Sequence, residues 1–169
     1  MESPMRIRQA NLLDLEEIVR IEQANFLGEE ATNPEKLKEQ IEKIPNTFLI
    51  ADLNGEIAGY IIGSAVSSHH QSADCLVKGM RNLDKSNFIF LHRLSINPDF
   101  KGQGVGTLLL AAMKEVVVEL QKQGIYLACK DHLISYFVMN GFSDSGMFEA
   151  TYGDGAHIEM IWENPYFKE

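Results

Sequence analysis

Residues 91–109 read Leu91-His92-Arg93-Leu94-Ser95-Ile96-Asn97-Pro98-Asp99-Phe100-Lys101-Gly102-Gln103-Gly104-Val105-Gly106-Thr107-Leu108-Leu109, and the hydrophobic period changes partway along. Phe88–Ile96 is dense in aromatic and aliphatic residues and predicts a strand, ended by Asn97-Pro98-Asp99. From Val105 onward, Leu108, Leu109, Ala112, Met113, Val116, Val117 and Leu120 recur at intervals of three and four. That spacing predicts an amphipathic helix, with Lys114, Glu115 and Glu119 off its apolar face. A glycine-rich turn joins the two. Glycines let a backbone approach a ligand closely, and the first amides of a helix lack intrahelical acceptors, so several N–H groups can converge on an anion such as a diphosphate. The spacing fits neither the dinucleotide fingerprint nor a P-loop. A ligand-free strand-to-helix turn is the plain alternative.

On either side of this stretch, strands and helices alternate. Arg6–Ala10 predicts a short strand, and Asp14 with Glu17 reads as the cap of a helix reaching Asn25, which Gly28 ends. Pro34 opens a second helix with Leu37, Ile41 and Ile44 on one side, and Pro45 closes it. Thr47–Leu53 and Glu56–Ser68 are strands joined by Asn54-Gly55, a pair that favours a two-residue hairpin turn. His69–Ser86 has no apolar period and predicts a long connection at the rim of the sheet. After the central helix, stopped by Gly124, come a strand at Ile125–Cys129 and a short helix at His132–Met139, ended by Asn140-Gly141. A last hairpin pairs Met147–Tyr152 with His157–Trp162. The order β, α, α, β, β, β, α, β, α, β, β predicts an α/β chain with a mixed, mostly antiparallel sheet of about seven strands and helices on both faces.

The chain has 169 residues, 45% of them hydrophobic, and a formal net charge of -9. That length predicts a single domain over residues 1–169 with its own core. The acidic balance argues against nucleic acid as a partner, because phosphate contacts need clustered Lys and Arg. It mildly favours a cationic small substrate, although on composition alone an acidic surface that keeps the protein dispersed is the leading reading. No apolar run reaches the roughly 20 residues of a membrane span, and Met1–Gln9 lacks the apolar stretch of a signal peptide. The expectation is a cytoplasmic protein with no membrane partner. Cys75 and Cys129 are expected as reduced thiols. His69-His70 has no recognisable third ligand nearby, so no metal is expected.

Residues 91–109 resemble the acetyl-CoA-binding core of the GNAT acetyltransferase superfamily, whose pattern is Arg or Gln, two residues, Gly, one residue, then Gly or Ala. Gly104 and Gly106 match its glycines, and Lys101 stands where Arg or Gln is usual, keeping the charge but not the side-chain geometry. Tyr136-Phe137-Val138-Met139-Asn140-Gly141-Phe142 is similar to the later signature, aromatic-Tyr-x-x-x-Gly-Phe, with Phe137 at the Tyr position. The resemblance runs from Arg6 to Trp162. Within the superfamily, Leu91–Gly106 and Cys129-Lys130-Asp131 look most like the serotonin N-acetyltransferase branch and its bacterial relatives. The resemblance implies the GNAT fold and acetyl-CoA as cosubstrate. Main-chain groups of Leu94 and Ile96, flanking Ser95, would then pair with the pantetheine arm. Amides of Gln103, Gly104, Val105, Gly106 and Thr107 would hold the diphosphate, with Gly102 completing the turn, Lys101 adding charge and Ser135 joining from the later motif.

An alkylammonium of pKa about 10.4 is less than roughly one part in a thousand neutral near pH 7, so acetylating an amine calls for a base or a water relay. His92 is the candidate base. Two-residue alternation puts it on one strand face with Phe90, Leu94 and Ile96, beside the implied pantetheine arm. A histidine held structurally in the strand is the alternative reading. The family's usual general acid falls on Phe137, and Tyr136 is the neighbouring catalytic candidate, about 100° round the helix. Cys129 reads as a core residue, and Glu29 and Glu30 as an acidic loop able to attract an amine cation.

The expectation is an acetyl-CoA-dependent N-acetyltransferase acting on a primary amine of a small molecule, arylalkylamine or polyamine-like, by direct attack in a ternary complex. Phe26–Asn33 and Ser67–Ser86 would rim the acceptor pocket, and a homodimer is left open. One alternative acceptor is a protein N-terminus or lysine. The other alternative is a CoA-binding sensor without turnover, motivated by Phe90 and Phe137.

Overall fold

The computed structural model describes residues 5–66, 87–145, 150–151 and 156–168. Within them the strands are β1 (Arg6–Gln9), β2 (Phe48–Leu53), β3 (Glu56–Val66), β4 (Phe88–Ile96), β5 (Gly124–Cys129), β6 (Ser143–Asp144), β7 (Ala150–Thr151) and β8 (Ala156–Glu163). The helices are α1 (Leu15–Asn25), α2 (Pro34–Lys43), α3 (Val105–Glu119) and α4 (Ile134–Met139). The sheet runs β1-β2-β3-β4-β5-β8-β6, with β7 also pairing β8. Its pairs are antiparallel except β4 with β5. Helices cover both faces. Ile61, Ile89, Leu91, Leu109, Met113 and Val117 form the core under α3, and Ile18, Ile21, Leu37, Ile41, Phe48 and Ile50 the core under α1 and α2. The mixed, mostly antiparallel α/β architecture expected from the sequence is the one observed.

Local chemistry explains most element ends. Asn54 and Gly55 both take positive φ, 55° and 90°, the geometry of a tight hairpin turn matched to twisted strands. Asn33 caps α2 by accepting from the Lys36 N–H at 2.8 Å, with Pro34 in the first helical position. The start of α1 differs from expectation. The capping box belongs to Asn11 and Asp14 around a 3-10 turn ahead of the helix, and the Asp14 carboxylate is tied to Arg8 at 2.8 Å. The helix ends at Asn25, as expected, and Gly28 beyond it opens a further 3-10 turn. Helix α3 stops at Glu119, ahead of Gly124. That glycine begins β5, where a side chain would run into the Trp162 carbonyl of β8. Residues 69–86, with His69, His70 and Cys75, and Tyr152 lie outside the described residues.

One strand positions the site. Along β3, β4 is paired throughout, but it pairs with β5 only where Phe88, Ile89 and Phe90 meet Gly124, Ile125 and Tyr126. From Leu91 to Ile96 it runs on without that neighbour. Its register against β3 also slips: Ile62 faces Arg93 while Gly63 faces Leu91, so His92 is the extra residue of a bulge. The slip breaks the two-residue alternation. Leu91, Leu94 and Ile96 all pack toward the α3 core, whereas His92 stays with Phe90, ring centroids 5.3 Å apart, on the side of α1 and α2. The expectation that His92 shares a face with Leu94 and Ile96 is therefore corrected.

Candidate active site

The free stretch of β4 ends against the start of α3. Asn97 N–H donates to the Ala58 carbonyl at 2.9 Å, so alternation turns the main chain of Ser95 and Arg93 toward β3. The main chain of Leu94 and Ile96 then points into the gap left where β5 has diverged. Gly104 is the N-cap of α3, in the left-handed region at φ 76°, and its carbonyl accepts from the Leu108 N–H at 3.1 Å. The amides of Val105, Gly106 and Thr107 are consequently the orphan donors of the first turn, at the positive end of the helix dipole. Gly102, at φ 82°, bends the chain into this turn, and Lys101 and Gln103 beside it are exposed. Gly106 has a packing reason as well: a side chain there would overlap the Tyr136 hydroxyl, which hydrogen-bonds Thr107. Burial pushes the Tyr136 phenol above its ordinary value, with the Thr107 bond opposing. Ser135 is exposed on α4, and Phe137 is buried against Phe142 in the α3 core.

At the bulge, the His92 Nε2 and the Ser64 Oγ of β3 are 2.5 Å apart. The other ring nitrogen, Nδ1, is buried and has no hydrogen-bond partner among the described residues. Burial, aided by the positive charges of Lys36 and Arg93, pushes the imidazole down to about 3, so His92 is neutral at physiological pH. Arg93 belongs to a buried charge network. Glu22 of α1, fully buried, accepts from Arg93 Nη2 at 2.7 Å, from the Tyr60 hydroxyl at 2.5 Å and from the Thr32 N–H at 2.8 Å. Arg93 also donates to the Glu30 carbonyl at 2.6 Å and stacks 3.6 Å over the Phe26 ring. These bonds pin the segment after α1 to β4. Asn25 adds a second tie, donating to Ser95 Oγ at 2.8 Å and to the Ile96 carbonyl at 2.7 Å.

Leu94, Ser95, Ile96 and the 101–107 turn thus come together along one line. His92 lies four residues back from Ile96, a strand distance of about 13 Å. Tyr136 is at the turn end, with Thr107, and shares no contact with His92. Ser64, Glu22, Arg93 and Asn25 were not singled out from the sequence. A glutamate on the apolar face of α1 and a serine inside an aliphatic strand were the available signals. Cys129 is a core residue, 3.6 Å from Met160 Sδ, and burial raises its thiol to about 11. It is protonated and unsuited to an acyl-cysteine route. Glu29 and Glu30 are exposed. Among the described residues no His, Cys, Asp and Glu cluster could hold a metal ion, and no helix is long and apolar enough to cross a membrane.

A family model described as the acetyltransferase (GNAT) family matches residues 15–142. An acetyltransferase of Pectobacterium atrosepticum is 23% identical over 128 residues, covering 75% of this chain and 77% of its own. Among solved structures, the loading GNATL domain of CurA from Lyngbya majuscula aligns with a TM-score of 0.84 at 14% identity, covering 96% of this chain and 98% of that one. The yncA protein of Salmonella typhimurium, solved with its cofactor acetyl-CoA, aligns at 0.72 and 14% identity over 99% and 98% of the two chains. At such identities these likenesses concern the fold.

Proposed function

Because the chain belongs to the GNAT family of acetyltransferases, we propose that it transfers an acetyl group from acetyl-CoA to a primary amine of a small molecule within a ternary complex. The observation that carries this reading is the alignment of an amide-rich helix start with a strand stretch whose main chain faces an open gap. Acetyl-CoA supplies the acyl group as a thioester, already activated toward nitrogen. The amides of Val105, Gly106 and Thr107, with those of Gln103 and Gly104, hold its diphosphate, and Lys101 adds charge. The main chain of Leu94 and the N–H of Ile96, whose carbonyl already accepts from Asn25, align the pantetheine arm, so that orientation of thioester and amine does much of the work.

Burial around His92, with the positive charge of Lys36, disfavours an ammonium there, so the acceptor reacts as the neutral amine. As the C–N bond forms and the C–S bond breaks, Nδ1 of His92 takes the proton that the nitrogen gives up. The departing thiolate, of pKa near 8.5, takes its proton from water, which suits the absence of a hydroxyl at Phe137. Tyr136 acts at the diphosphate end. The rim segment Phe26–Asn33 admits the acceptor, and the burial of Ser64 and of the His92 Nδ1 favours a slender alkylamine over a peptide.

Free-thiol release with acetyl-CoA across a panel of arylalkylamines, polyamines and peptides tests the reading. Release with free amines is expected. Release with peptides alone would make the acceptor a protein, and binding without any release would make the chain a sensor.

A further inference from the structure

We propose that Ser64 is a positioning residue of this site: its hydroxyl oxygen accepts from the Nε2–H of His92 and fixes the tautomer that leaves Nδ1 as a bare lone pair. The inference rests on the reading of His92 as proton acceptor and adds what makes that role available. Ser64 lies within the aliphatic run of β3, between Ile62 and Val66 on the same strand face, and is completely buried. Packing alone would not place a hydroxyl there, and burying one without a partner costs about 1–3 kcal/mol. Its one side-chain hydrogen bond among the described residues is to His92. By register Ser64 pairs with Phe90, so an unslipped strand would leave the imidazole to point by simple alternation; the bulge at His92 instead brings Nε2 to 2.5 Å from Oγ.

A proton count makes the tautomer decisive. A neutral imidazole and a hydroxyl carry two such protons, and one of them lies in the bond between Oγ and Nε2. If the hydroxyl donated, Nδ1 would carry the second proton as a buried donor, and the site would have no base. With Nε2–H donating, Nδ1 keeps its lone pair, which has no other partner among the described residues, as the acceptor for the amine proton. Charge does not choose between these states. Burial, with the positive charges of Lys36 of α2 and of Arg93 of β4, the latter paired with Glu22 of α1, keeps the imidazole uncharged in either case.

Nitrogen-15 NMR of the protein labelled at histidine imidazoles tests this without substrate. The chain has five histidines, and the His92 signals are those absent from His92→Gln. At neutral pH the expected pattern is a pyridine-like shift for Nδ1 and a pyrrole-like shift for Nε2. The reverse pattern overturns the proposal. In Ser64→Ala the ring should average between tautomers and kcat should fall about tenfold, with the KM for acetyl-CoA unchanged and Ser64→Thr restoring both properties. An unaltered tautomer in Ser64→Ala overturns the proposal too. If that variant does not fold, the wild-type spectrum alone decides. Failure of the acetyl-transfer reading is separately visible, as wild-type protein that releases no thiol whatever its tautomer.

Discussion

An imidazole that stays neutral down to about pH 3 keeps its lone pair available throughout the physiological range, but it holds a proton weakly. The kinetic signature follows from both properties. kcat/KM should rise about tenfold per pH unit from roughly 6 to 9, tracking the neutral amine, with no break where an ordinary histidine titrates. His92→Gln should lower kcat by about 100-fold across that range while leaving the KM for acetyl-CoA nearly unchanged. Unchanged turnover in the variant would remove His92 from the mechanism. At the other end of the cleft, Gly106→Ala must displace the Tyr136 hydroxyl. We expect a stability loss of about 1–3 kcal/mol by thermal melting, and calorimetry should show acetyl-CoA affinity at least about tenfold weaker. Glycines 104 and 106 were legible from the sequence because their spacing and place before a helix carry the chemistry. Ser64 was not, since nothing in an aliphatic run tells which position a strand across the sheet will oppose.

Elements were more legible than their relations. The period of Val105–Leu120 predicted α3, and Asn54-Gly55 predicted the β2–β3 hairpin, because both signals are local. The bulge in β4 was not legible: a one-residue slip changes no composition, yet it moves His92 away from the face of Leu94 and Ile96. The same holds for Gly124, which looks like a helix stop but serves close packing on β8. The tie between α1 and β4 is an element-scale property that mutation can read. Glu22→Ala removes the carboxylate from Arg93, Tyr60 and Thr32 together, and should destabilise the chain by roughly 3 kcal/mol in urea unfolding. Because Arg93 also holds Phe26 and Glu30, the amine KM should rise more than that for acetyl-CoA. An equal rise in both would show that the tie does not act through the acceptor rim.

For the whole molecule, the buried histidine links stability to pH. The unfolded chain binds a proton at His92 near 6.5 and the native chain only near 3, so native stability from this group is complete above about 6.5 and is lost as pH falls toward 3. Asp14 and Asp52, held below the usual carboxylate range by Arg8, add losses only at lower pH. The melting temperature should therefore decline between pH 6.5 and 4.5 in the wild type and less steeply in His92→Gln; parallel curves would contradict the burial of a neutral imidazole. The sheet order, the split of β4 from β5 and the start of α3 together place one open line of main-chain groups between two covered faces. The most direct measurement of that claim is a titration of nitrogen-15-labelled protein with acetyl-CoA, followed at the backbone amides. The account predicts saturable shifts at Leu94, Ile96 and Gly104–Thr107, with β1 and β2 unmoved. Saturable binding that leaves the amides of Gly104–Thr107 in place would contradict it.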